Sequence, residues 1–187
     1  MKKILYLLSF ILFVSLISNS CKDTIDECEG VECNNGDCLL GNCQCDYGWS
    51  GSDCSVKKSS FFYADWVGEL KCLTNTDTVT MRIEEIGSSV DVLKMHTVGL
   101  VFNLGTIPVS FDNYTLNGVL DSTFEAFVID TLNIKQIIPF NGNNIEVEIG
   151  VSGTGKKIEE DKLDIKLDFL IKQFNQSISC TGVFAKP

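Results

Sequence analysis

Ile145-Glu146-Val147-Glu148-Ile149-Gly150-Val151 places an apolar residue at every second position, with acids and a glycine between them. A period of two is the mark of a strand with one face buried and one in water. Leu163, Ile165, Leu167 and Phe169 likewise alternate with Asp164, Lys166 and Asp168, and Val79, Met81 and Ile83 oppose Thr78, Thr80, Arg82 and Glu84. Trp66 to Leu73, Val90 to His96, Thr106 to Phe111, Tyr114 to Leu120, Asn133 to Ile138 and Gln176 to Ala185 carry the same β-branched and aromatic character, so the region from Phe61 onward reads as roughly eight to nine strands. Turn residues separate them at Thr74-Asn75-Thr76-Asp77, Gly87-Ser88-Ser89, Asp112-Asn113, Asn141-Gly142-Asn143-Asn144 and Gly153-Thr154-Gly155. Short, regularly spaced strands without an amphipathic helix indicate a mainly β, antiparallel sandwich or barrel.

Two cysteines choose between these. Cys72 lies in the first strand of the region and Cys180 in the last. A bond between them requires their Cα atoms to come within about 6 Å, which closure of the sheet supplies. Closure also removes the exposed edges an open sheet would present. Residues 61–187 are therefore expected to form one antiparallel β-barrel.

Trp66-Val67-Gly68-Glu69 near the start, Cys72 followed by Val79-Thr80-Met81-Arg82-Ile83, and Ile178-Ser179-Cys180-Thr181-Gly182-Val183 at the end make this region resemble the lipocalin-like (calycin-like) barrels that follow EGF-like modules in some bacterial surface lipoproteins. The resemblance implies a fold that can enclose a cavity and names no ligand. Trp66 is expected as a core plug at the base of the barrel.

Six of the nine cysteines precede the barrel: Cys28, Cys33, Cys38, Cys43, Cys45 and Cys54. A segment this short cannot bury an adequate core, so cross-links must supply its order. Six cysteines allow fifteen pairings, and spacing does not choose among them. The string Cys33-Asn34-Asn35-Gly36-Asp37-Cys38, then Cys43-Gln44-Cys45-Asp46-Tyr47-Gly48-Trp49-Ser50-Gly51-Ser52-Asp53-Cys54, resembles an EGF-like domain over residues 28–54. That resemblance implies the pairs Cys28 with Cys38, Cys33 with Cys43 and Cys45 with Cys54. It also implies that the aromatic side chain of Tyr47 or Trp49 packs on the module's own small sheet, with an exposed contact pair as the alternative. A zinc site would use Cys-x2-Cys pairs, and none occurs. Asp26-Glu27-Cys28 matches part of the calcium-binding form of the family, but Thr24 stands where an acid is expected and Leu39 to Asn42 leaves no room for the remaining ligands. No metal or cofactor is expected. Asn34-Asn35-Gly36 reads as a turn, and residues 55–60 as a polar connector.

The first twenty residues read as an export signal. Lys2 and Lys3 give a positive start and Ile4 to Ile17 an apolar run broken by Ser9 and Ser15, shorter than the roughly 20 residues of a membrane span. Ser18-Asn19-Ser20-Cys21 resembles the lipobox of bacterial lipoproteins, which implies cleavage before Cys21 and diacylation of its thiol. Residues 21–27 form an acidic tether, and Lys22-Asp23-Thr24-Ile25-Asp26-Glu27 resembles the stretch associated with export to the outer face of Gram-negative cells. The expected location is the outer membrane surface of such a bacterium. Asp23-Thr24-Ile25, Asp77-Thr78-Val79 and Asp130-Thr131-Leu132 each resemble an O-glycosylation motif of Gram-negative exported proteins.

The formal charge is −10, and losing residues 1–20 removes two lysines and no acid. Such a surface repels anionic lipid headgroups, so acyl chains alone would hold the membrane, two of them durably. It also argues against a nucleic-acid partner, which needs clustered Lys and Arg. His96 is the sole histidine, expected on the polar side of a strand, and it leaves no partner for a His-based metal or hydrolytic centre. Gly150-Val151-Ser152-Gly153-Thr154-Gly155-Lys156-Lys157 nearly spells a phosphate-binding loop, but Lys157 occupies the position of the magnesium-binding Ser or Thr. A hairpin turn is the expected role of that stretch. Glu84-Glu85 and Glu159-Glu160-Asp161 read as solvated charges. The chain is thus expected to be non-catalytic: a binding or adhesion module for an extracellular protein or glycan, or a carrier of a small apolar ligand inside the barrel.

Overall fold

The computed structural model describes residues 27–187 apart from 74, 105–106, 112–113 and 141. It is mostly β, in two parts joined end to end: a disulfide-rich segment and an eight-stranded closed barrel.

In the first part, β1 (Gly36–Leu39) and β2 (Asn42–Cys45) form one antiparallel ribbon, and β3 (Trp49–Ser50) and β4 (Val56–Lys57) a second. The disulfides are Cys28–Cys38, Cys33–Cys43 and Cys45–Cys54. From residue 28 to residue 57 only Gly48 and Cys54 are buried, so the sulfur bridges, not a core, hold the segment. The polar stretch 55–60 is structured: it supplies β4 and enters a 3-10 turn, Lys58–Phe62.

The barrel strands are β5 (Ala64–Cys72), β6 (Asn75–Glu85), β7 (Val92–Val98), β10 (Thr115–Leu120), β11 (Ala126–Phe140), β12 (Asn143–Glu159), β13 (Lys162–Ile171) and β14 (Gln176–Ala185). Each pairs antiparallel with the next, and β14 closes the sheet on β5. A further ribbon, β8 (Val101–Leu104) with β9 (Ile107–Ser110), is inserted between β7 and β10. The strand expected at Thr106–Phe111 is this β9, outside the barrel wall, because its ladder partner is β8 and not a wall strand.

The junctions of the wall differ in extent. β14 and β5 share six residue pairs from Cys180↔Cys72 to Ala185↔Val67, with the Cys72–Cys180 bridge across the first, at a Cα separation of 4.3 Å. β10 and β11 share three, Gly118↔Ile129, Val119↔Val128 and Leu120↔Phe127. Beyond them Gln136 Nε2 of β11 donates to the carbonyl of Ser110, the last residue of β9.

Gly153-Thr154-Gly155 corrects the sequence reading. These residues sit within the seventeen-residue β12, and the turn to β13 comes at Glu160–Asp161, between the paired Glu159 and Lys162. Glycine is needed here because the chain passes under an aromatic ring: a Cβ on Gly155 would stand 2.1 Å from Phe127 Cζ. β11 likewise begins seven residues before Asn133, with an irregularity between Ile129 and Leu132 where Asp130 and Thr131 interrupt the alternation.

Inside, aliphatic and aromatic side chains from all eight strands form one cluster. At the end nearer the disulfide-rich segment, Trp66 is fully buried and its Nε1 donates to the Phe62 carbonyl at 2.8 Å, while Phe62 meets Phe127 edge-on at 5.4 Å. Trp66 is thus a core plug, as expected. Lys186 Nζ closes this end from outside, 4.9 Å over the Trp66 ring and donating to the Phe61 carbonyl at 2.6 Å. Burial, with the neighbouring Lys157 charge, pushes the Lys186 ammonium below its ordinary value. At the far end Phe111 turns inward onto Phe169, with ring centroids 4.7 Å apart, and Thr97 Oγ1 donates to the Phe111 carbonyl at 2.9 Å. Among the described residues no buried side-chain polar atom lacks a partner.

Candidate functional site

All eight cysteines among the described residues form disulfides, which leaves no thiolate for a metal. No group of three metal-ligating side chains occurs among the described residues. Cys21, the export signal, the acidic tether up to Asp26 and the motif at Thr24 lie outside the described residues. Thr78, on β6, and Thr131, at the β11 irregularity, are both exposed.

The aromatic pair of the disulfide-rich segment does not behave alike. Tyr47 leaves its own sheet and meets Phe124 of the barrel at 5.1 Å between centroids. Trp49 stays half-buried beneath Lys57, whose Nζ is 5.8 Å from the ring and 3.1 Å from Glu85 Oε2. Gly48, at φ +85°, slips beneath Val90, where a Cβ would approach within 2.6 Å. Glu85, read from sequence as a solvated charge, is therefore part of the seam between the two regions.

Two grooves of about 440 Å³ each lie on the outer wall of the barrel. One is apolar and follows β10, β11 and β12 past Val119, Val128 and Thr154. The other is polar and crosses β5, β6, β7 and β10. Its floor is a single rung of the sheet: Asp65 pairs with Arg82, Arg82 with His96 and His96 with Thr115. Odd and even positions alternate across a strand, so this register points carboxylate, guanidinium, imidazole and hydroxyl the same way, outward.

Neighbours on the rung interact. Arg82 grips Asp65 through two bonds, Nε to Oδ1 at 2.6 Å and Nη2 to Oδ2 at 3.1 Å. The guanidinium holds the Asp65 carboxyl below the ordinary carboxylate range, and the carboxylate raises Arg82 in return. Thr115 Oγ1 and His96 Nδ1 are 3.2 Å apart, and His96 Nε2 faces Glu84 Oε2 at 3.7 Å. His96 lies on the polar face, as its parity suggested, and is half-buried.

Hydroxyl, imidazole and carboxylate in series invite comparison with a hydrolytic triad. The geometry here opposes it: the rung lies on an outer wall open to water, whereas such a site relies on donors acting in a desolvated cleft. What the rung offers is a row of alternating acceptors and donors.

No family model matches the chain, and no curated protein matches it. Among solved structures it is similar to a redesigned beta barrel, at 14% identity with a TM-score of 0.40, over 70% of this chain and 95% of that one. It is also similar to EF1p2_mFAP2b bound to DFHBI, at 9% identity with a TM-score of 0.41, over 70% of this chain and 97% of that one. The barrel of the present chain is defined by its own closed register, and the fold is one compatible with carrying a ligand.

Proposed function

We propose that the chain is a non-catalytic surface lipoprotein: diacylated at Cys21, anchored in the outer membrane of a Gram-negative bacterium, spaced by an EGF-like module, and binding an extracellular protein or glycan on the outer wall of a lipocalin-like barrel. The single observation carrying the choice of outside over inside is the crowded lumen. Aromatic contacts stopper both ends, Phe62 on Phe127 and Phe111 on Phe169, and the inward residues Met81, Met95, Ile149 and Leu167 are fully buried between them. Both grooves described above lie outside. The anchor reading is supported by the charged start, the apolar run and the position of Cys21.

The test uses the full chain carrying Cys21→Ala, so that no covalent lipid contributes mass. The variant is expected in the soluble exported fraction, and its native mass should equal that of the polypeptide with four disulfides. A variant that stays in the membrane pellet would contradict the anchor. Co-purified lipid in the native mass would turn the reading to the carrier.

A further inference from the structure

We propose that the polar groove over the Asp65–Arg82–His96–Thr115 rung is a binding site for a neutral oligosaccharide; this rests on the outer-wall reading above and gives it a ligand class. Three observations carry it. The first is shape. A barrel wall is convex, yet a depression of about 440 Å³ runs across four adjacent strands. That volume falls in the range of small-molecule sites, about 300–1,000 Å³, and is concave where a protein partner would want a broad flat face.

The second is chemistry. Asp65 and Glu84 accept, Arg82 donates, and Thr80, Thr115 and His96 can do either. Sugar hydroxyls are themselves both donors and acceptors, so a row that alternates between the two suits a polyhydroxylated chain better than an apolar or singly charged ligand. Neighbouring strands are about 4.8 Å apart, so four side chains on one rung span roughly 14 Å, the reach of a short oligosaccharide and not of one sugar ring.

The third is charge. Asp65 neutralises Arg82 through both of its bonds, and Glu84 adds a second carboxylate beside His96. Among the described residues lining the groove no cation is left over to attract a sulfated or phosphorylated ligand, and the chain as a whole carries −10. Among sugars, neutral ones are favoured. Val98, exposed at the groove margin, gives the carbon face of a sugar ring an apolar contact.

The experiment presents the soluble Cys21→Ala chain to an array of neutral, sialylated and sulfated oligosaccharides, with spermine as a cationic probe in solution. At least one neutral oligosaccharide should bind. His96→Ala combined with Thr115→Val should weaken that binding tenfold or more with the circular dichroism spectrum unchanged, while Val128→Thr in the apolar groove should leave it unchanged. Amide shifts on titration with the bound sugar should cluster on β6, β7 and β10. The inference is overturned if no neutral sugar binds, if only sulfated sugars or spermine bind, or if binding survives the double variant. A blank array alongside a ligand-free native mass would remove the sugar and leave the outer-wall reading standing.

Discussion

The disulfide-rich segment and the barrel reach order by opposite routes. Between residues 28 and 57 almost nothing is buried, and three bridges close loops of nine or ten residues. In the barrel an apolar cluster fed by every wall strand does the same work, with one bridge across 108 residues laid over the seam where the first strand meets the last. The lesson is one of scale: a short segment cannot bury enough surface to offset its chain entropy, and a longer one can. The Cys72–Cys180 bridge is then a reinforcement of closure, not its cause.

Removing that reinforcement should give the largest effect. Cys72→Ala with Cys180→Ala is expected to lower stability by up to ~4–5 kcal/mol on the loop-entropy model, read as a fall in the barrel's denaturation midpoint, with the six-pair β14–β5 ladder still formed at low denaturant. Cys45→Ala with Cys54→Ala should instead disorder the first region and leave the barrel's own transition nearly unmoved. If the two pairs of substitutions act alike on the barrel, the two regions do not reach order by separate routes.

Gly155→Ala comes next. The new Cβ must displace Phe127 from the plug at the Trp66 end, and overpacking of this kind costs about 1–3 kcal/mol. Thermal denaturation should show the loss, and a Gly155→Ala, Phe127→Leu double variant should recover part of it. Tyr47→Ala addresses the seam between the regions. Losing its ring contact with Phe124 should cost about 1 kcal/mol, and proteolysis between residues 55 and 60 should quicken while the barrel remains intact.

Arg82→Gln should have the smallest effect on stability. Asp65 has its carboxyl lowered by the Arg82 bond in the folded chain, so the stabilisation is present above the ordinary carboxylate value and is lost as pH falls through the lowered one. Wild type and variant should therefore differ slightly at neutral pH and converge below about pH 4, which paired melts across that range would detect.

Much of this architecture was legible in residue order. The alternation at Val79 to Ile83, Ile145 to Val151 and Leu163 to Phe169 marked strands because a pleated chain must sort its faces, and Cys72 with Cys180 pointed to closure. Glycine misled at Gly153 and Gly155: it commonly breaks strands, yet here Gly155 lies under the Phe127 ring and Gly153 lies close against the Lys166 carbonyl of β13, which no local pattern announces. The early half of β11 was hidden by Asp130-Thr131, polar residues at an irregularity. β8 was too short and too close to its partner to stand out. Pairing within the first six cysteines came from the EGF-like resemblance, since spacing left fifteen choices open. The polar rung was the least legible feature. Arg82 and His96 were placed on polar faces by their parity, whereas Asp65 fell before the first expected strand and Thr115 had no assigned face; the alignment of the four depends on register, and register depends on the lengths of loops that sequence patterns locate only loosely.

Whether this barrel binds on its outer wall or in its lumen is decided by methyl NMR during titration with a long-chain fatty acid. The inward methyl groups of Ile149, Ile165 and Leu167 should not shift at any ratio. Saturable shifts at those three residues would place the ligand inside and rule out an outer-wall binder.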